Sequence, residues 1–223
     1  MTNASTNDAA PEASDIGFSA AELQYLLSVT PGPVADHSAE IFGLGDIPTD
    51  GAELVTGAGS LLAHGLLEMV SDDDFQLRDT ALVVSYILSN AERWTVIGGA
   101  TPDGGDLGVF VQARAGSLLA QPRVFGTWWF ILVAADAPAD DIVLSTATSF
   151  VDAADTTGVY VRPSTLVTDE TFSIRRAGDS WGYAAGQSSS DTPGLLVDDA
   201  DRDSTLEALA EFLRSLPEAA PQD

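Results

Sequence analysis

The apolar pattern of this chain changes period at Trp94, and no other feature constrains the fold as strongly. Upstream, apolar residues recur every three or four positions, the repeat of a helix face; downstream they alternate, the repeat of a strand. A chain that runs from one period into the other points to an α+β arrangement.

The helical part divides into three. Ser19, with Glu22 three positions on, forms a capping box, and Leu23, Leu26 and Leu27 share a face. A helix is therefore expected from about Ala20 to Val29, ended by Pro31-Gly32-Pro33, which leaves His37 in a loop. A longer helix is read from Ala52 to Val70, because Leu54, Val55, Ala58, Leu61, Leu62, Leu66 and Met69 keep the 3.6-residue period. Asp72, Asp73 and Asp74 then supply an N-cap and negative charge for a third helix, Phe75 to Asn90.

Strands are expected at Trp94 to Gly98 and Leu107 to Arg114, joined by the hairpin chemistry of Ala100 to Asp106. In the second, Leu107, Val109, Val111 and Ala113 take one face and Phe110, Gln112 and Arg114 the other. Val124 to Ala135 is apolar on both alternating sets and reads as a central strand covered on both sides. A helix follows at Ala139 to Ala154, with Ile142, Val143, Thr146 and Phe150 inward. Strands at Val159 to Arg162, Thr171 to Arg176 and Trp181 to Ala185 lead to a terminal helix, Asp203 to Leu216. The class is α+β: N-terminal helices followed by an antiparallel meander sheet with packed helices. Meander-then-helix occurs twice, which suggests a quasi-two-fold repeat. Residues 1–15 are expected to be a disordered acidic leader, 16–216 a single α+β domain and 217–223 a disordered tail.

Charge excludes some functions. The 34 acidic residues against nine basic ones, all arginine, give a formal net charge of -25. Such a field repels phosphate backbones and anionic lipid, so neither nucleic acid nor membrane is an expected partner. Basic proteins are not repelled, although adaptation to high salt or plain solubility would also account for the acidity. With no cysteine, there is no disulfide, thiolate metal site or cysteine nucleophile. The start of the chain lacks the basic and apolar regions of a secretory signal. Its longest apolar stretch, Val124 to Ala135, is well short of the ~20 residues of a membrane helix. A cytoplasmic location is the expectation.

No residue set spells out a reaction. Asp199, Asp201 and Asp203 match the first positions of a calcium loop, but Ser204 stands where glycine is needed and Ala210 where the bidentate glutamate belongs. An acidic cap on the terminal helix is the simpler reading. His64 and Glu68, four apart on the long helix, would form an acid–base pair, against a hydrogen-bonded structural histidine. Gly57-Ala58-Gly59-Ser60 and Gly43-Leu44-Gly45 lack the preceding strand and the lysine of a phosphate cradle, and the former suits close helix packing. Trp94, Trp128, Trp129 and Trp181, with Phe110 and Tyr183, would furnish core or an aromatic sheet surface; alternation puts Trp128 and Trp129 on opposite faces. Arg175-Arg176 is too small for a nucleic-acid patch. No catalytic, cofactor or metal residue is assigned and no cofactor is expected.

From Phe18 to Asp136 the chain resembles the type VII (ESX) secretion chaperones of the EspG family. The likeness lies in the opening helix FSAAELQYLL, the helix ending GSLLAHGLLEMV, the acidic break SDDD, the helix LRDTALVVSYIL and the strand RWTVIGG leading into a meander. It implies a non-enzymatic cytoplasmic α+β adaptor that binds a helical secreted PE-PPE-type pair. Three other readings stay open: an acidic immunity or antitoxin-type inhibitor of a basic protein, a small hydrolase using His64, and a halophilic protein of unrelated role.

Overall fold

The computed structural model describes residues 16–71, 74–134, 137–187 and 195–217. The expected leader, Asp72, Asp73 and residues 218–223 of the expected tail lie outside the described residues.

Strand β1 (Ile16–Ser19) runs straight into helix α1 (Ala20–Ser28). The capping box forms as expected: the Glu22 amide donates to Ser19 Oγ at 3.3 Å and the Ser19 amide to Glu22 Oε2 at 2.7 Å. Leu23, Leu26 and Leu27 are fully buried. Pro31-Gly32-Pro33 ends this helix but also begins another, α2 (Pro33–Ile41), so His37 is helical rather than in a loop. The reason is local: proline at a first helical position loses no needed hydrogen bond and has its φ already set.

Helix α3 (Ala52–Ala63) is shorter than expected. Gly65 takes φ +72°, its amide donates to Leu62 O, and the Leu66 amide reaches Leu61 O at 2.8 Å. This Schellman closure ends the helix. The apolar residues beyond it follow the strand period in a hairpin of β2 (Leu67–Ser71) and β3 (Asp74–Leu77), pairing Leu67 with Leu77 and Met69 with Phe75. Asp74 therefore starts a strand, and α4 (Asp79–Ser89) begins later than expected.

Two four-strand meanders follow. The first is β4 (Ala91–Thr101), β5 (Gly104–Ala113), β6 (Gly116–Arg123) and β7 (Thr127–Val133), then helix α5 (Ala139–Val151). The second is β8 (Gly158–Ser164), β9 (Glu170–Ala177), β10 (Ser180–Gln187) and β11 (Leu195–Ala200), then helix α6 (Arg202–Ser215). They meet through antiparallel pairing of β4 with β8, Ile97 opposite Val161, in one nine-stranded sheet of order β1-β7-β6-β5-β4-β8-β9-β10-β11. Strands β6 and β11 were not anticipated. β6 carries Pro122 and shows no clean alternation, and β11 is half aspartate or alanine.

Helices cover both faces of the sheet. Phe18, Leu23, Leu61, Leu88, Trp94, Val109, Val111 and Phe130 form one core with α1–α4. Ile97, Phe110, Val143, Phe172, Leu209 and Leu213 form the other with α5 and α6. The opposite facing of Val109 and Phe110 follows from alternation. The expectation that Val124–Ala135 is a central, doubly covered strand fails. Val124–Gly126 is a turn, and β7 has only the short β1 beyond it, so Trp129 is 41% exposed while Trp128 is buried.

Candidate protein-binding interface

His64 caps α3 while Glu68 lies in β2 and pairs with Arg78, so the two share no helix face and the acid–base alternative to a structural histidine does not form. His64 Nδ1 instead lies 3.4 Å from Glu22 Oε1, which also accepts the Ser60 hydroxyl at 2.7 Å. Burial raises the Glu22 carboxyl pKa. The hydrogen bonds from the Ser19 amide, Ser60 and the Ser19 hydroxyl, with the His64 charge, outweigh that and hold it below its ordinary 4.5. The cluster is a clasp between α1 and α3. Gly57 lets the two helices approach, since a Cβ there would sit 2.2 Å from Ala21 O.

His37 has partners that spacing did not reveal. Its Nε2 lies 3.3 Å from Ser164 Oγ, its Nδ1 3.6 Å from Glu40, and its ring packs edge-on against Trp94 at 4.6 Å. Ser164 is 127 positions away and reaches His37 only through the β4–β8 pairing. The row resembles a serine–histidine–carboxylate set, but Ser164 is only 3% exposed. The arrangement thus ties α2 to the end of β8. In front of it lies a cleft of about 730 Å3, lined by Pro33, Asp36, Glu40, Asp46, Ile47 and Leu166 as well as His37.

The acidic cap on the terminal helix is as expected. Asp201 is the N-cap of α6 and accepts from the Ser204 amide at 2.8 Å and its hydroxyl at 2.9 Å, contacts that hold its carboxyl below the usual range. Asp203 accepts from Arg202, which also grips Asp152 at the end of α5 through two hydrogen bonds. Among the described residues no group of three or more His, Cys, Asp or Glu side chains is placed to hold a metal. No described helix is long and apolar enough to cross a membrane. Trp94, Trp128 and Trp181 are core, and Arg176 stacks over Trp181.

The uncovered surface lies on the sheet itself. α2 packs on β4, and α4 on β5 and β6; across the sheet, α5 packs on β4, β5 and β8, and α6 on β9 and β10. The helix layers are therefore offset diagonally. Registers place Gly98, Tyr160, Ser173, Ala184 and Leu196 in one row across β4, β8, β9, β10 and β11. Paired residues share a face, and Gly98 shares its own with Trp94 and Val96, so this row lies on the α1–α4 side. Among the described residues no helix covers it beyond Gly98: Tyr160 is 40% exposed and Leu196 is 63% exposed. Tyr160 lies across Gly98, where a Cβ would come within 2.2 Å of its ring. In β10, Gly182, Ala184 and Gly186 face the same way. They leave a shallow trough between Tyr160 on one side and Leu196 on the other, bordered at its Gly182 end by the Arg175–Asp198 ion pair at 3.8 Å.

Comparison with known proteins bears on the fold. No protein-family profile matches the chain, and no curated protein matches it in sequence. A solved structure does: the Mycobacterium tuberculosis type VII secretion system chaperone EspG5 in complex with a PE25–PPE41 dimer. It superposes with a TM-score of 0.54 at 11% identity, over 93% of this chain and 99% of that one. The resemblance of this chain to that chaperone is one of fold.

Proposed function

We propose that this chain is a non-enzymatic cytoplasmic binding protein, a type VII secretion-associated chaperone or adaptor that holds a helical secreted protein. The observation that carries the reading is the open trough on β8–β11. In the first meander the same side of the sheet is filled by α2 and α4, and here no helix of the described chain fills it. A sheet face with small residues along β10 and with Tyr160 and Leu196 flanking them fits a helix laid against it, the usual partner of a sheet layer. The fold-level likeness to a chaperone whose structure holds a protein dimer supports the same class of partner.

The test is affinity capture of client from native lysate at moderate and high salt, comparing the wild-type chain with Ala184→Arg and Leu196→Asp. The expected client is a helical secreted protein, retained at high salt and lost with either variant. Capture of a basic protein that salt releases would favour the inhibitor reading, since such pairs associate through screened charge. Capture that both variants leave unchanged would overturn the trough as the client site.

A further inference from the structure

The turn between β6 and β7 holds an aromatic side chain that is packed against none of the described residues. Phe125 adopts φ +62°, ψ +24° and is 98% exposed; Val124 beside it is 73% exposed. A bulky residue in the left-handed region is an outlier, and glycine or asparagine would take that position without strain. Strain kept at a site that buries no surface points to a use outside the chain. The setting is equally unusual in charge. From Ala115 to Ala134 there is no Asp or Glu, in a chain with 34 of them, while Arg123 stands next to Val124. This knob is apolar and locally cationic on a strongly anionic molecule.

The chain also carries a surface of the opposite kind. The cleft of about 730 Å3 in front of His37 has apolar walls from Pro33, Ile47 and Leu166, and Asp36, Glu40 and Asp46 around them. Knob and cleft sit at opposite ends of the strands. β6 leaves the Ala113 end of β5, and its turn lies toward the Thr101 end of β4, whereas Ser164, which His37 contacts, pairs with Trp94 at the other end. We propose that the Arg123–Val124–Phe125 knob of one copy docks in the cleft of a second copy, with Phe125 against the apolar walls and Arg123 facing the carboxylates. Different patches meet in such a contact, so it is head-to-tail and leaves a knob and a cleft free at the ends of each assembly.

The experiment is sedimentation velocity of the full chain over an approximately hundredfold concentration range, in ~0.15 M salt, where a Debye length of about 8 Å confines repulsion between the two net charges to short range. The expected result is a sedimentation coefficient that rises with concentration and passes the dimer value. Phe125→Ser and Asp46→Arg, both at exposed positions, are each expected to weaken association at least about tenfold, equivalent to about 1.4 kcal/mol. An equimolar mixture of the two variants retains one intact knob and one intact cleft, and is expected to form a dimer and nothing larger. A wild-type chain that stays monomeric throughout, a variant that assembles like wild type, or a mixture that does not pair would overturn the proposal. The Ala184→Arg trough variant is expected to self-associate as wild type does, which keeps this contact distinct from client binding.

Discussion

Replacing Glu22 tests how the N-terminal helices are held together. Its carboxylate accepts the Ser19 amide at 2.7 Å and the Ser60 hydroxyl at 2.7 Å, lies 3.4 Å from His64, and belongs to a residue only 4% exposed. Loss of the capping half of this cluster costs about 1 kcal/mol. Loss of the hydrogen bond that the charged group accepts from Ser60 costs about 1.5–3 kcal/mol more, part of it from leaving that hydroxyl unpaired. Glu22→Ala is therefore expected to destabilise the chain by about 2.5–4 kcal/mol near neutral pH, and Glu22→Gln, which keeps the shape and one acceptor, by about half of that.

The pH dependence has a definite sign. The folded-state pKa of Glu22 lies below its ordinary 4.5, so its stabilisation is fully present above that value and is lost as pH falls through the lower folded-state value. The gap between wild type and Glu22→Gln should then narrow as pH is lowered below about 4. Urea unfolding at neutral and acid pH, followed by tryptophan fluorescence, measures both effects. A neutral-pH loss in Glu22→Ala under about 0.5 kcal/mol, typical of an unremarkable surface site, would refute the argument, as would a Glu22→Gln deficit that does not change with pH.

Two further substitutions probe backbone-level constraints. Gly57→Ala brings a Cβ to 2.2 Å from Ala21 O, a backbone atom that cannot turn aside, and is expected to cost about 1–3 kcal/mol in denaturant unfolding. Phe125→Asn relieves the left-handed strain at φ +62° and removes no buried contact, so the isolated monomer is expected to gain about 1 kcal/mol; equal or lower stability would mean that the turn is not strained.

Local chemistry was enough to read much of the fold from the sequence alone. The capping box at Ser19, the face of Leu23, Leu26 and Leu27, the opposite facing of Val109 and Phe110, the hairpin at Ala100–Asp106 and the cap on α6 each depend on residues a few positions apart. The α+β class follows from the change of period at Trp94, and the repeated meander-then-helix order was visible as well. Errors fell where a short apolar run suits both periods. Leu66, Leu67 and Met69 continue a helix face as readily as they start a hairpin, and only the left-handed Gly65 decides between them.

The surfaces for binding were a matter of tertiary structure. Alternation separates Trp128 from Trp129 but does not say which is buried; that depends on β7 lying next to the sheet edge, a result of strand order. His37 meets Ser164, and Glu22 meets Ser60 and His64, because pairing and helix packing close separations that no local spacing encodes. The trough on β8–β11 exists because the helix layers are offset across the sheet. A sequence specifies the apolar faces of its elements through local period, but which of those faces finds a neighbour is decided only when the whole chain has packed.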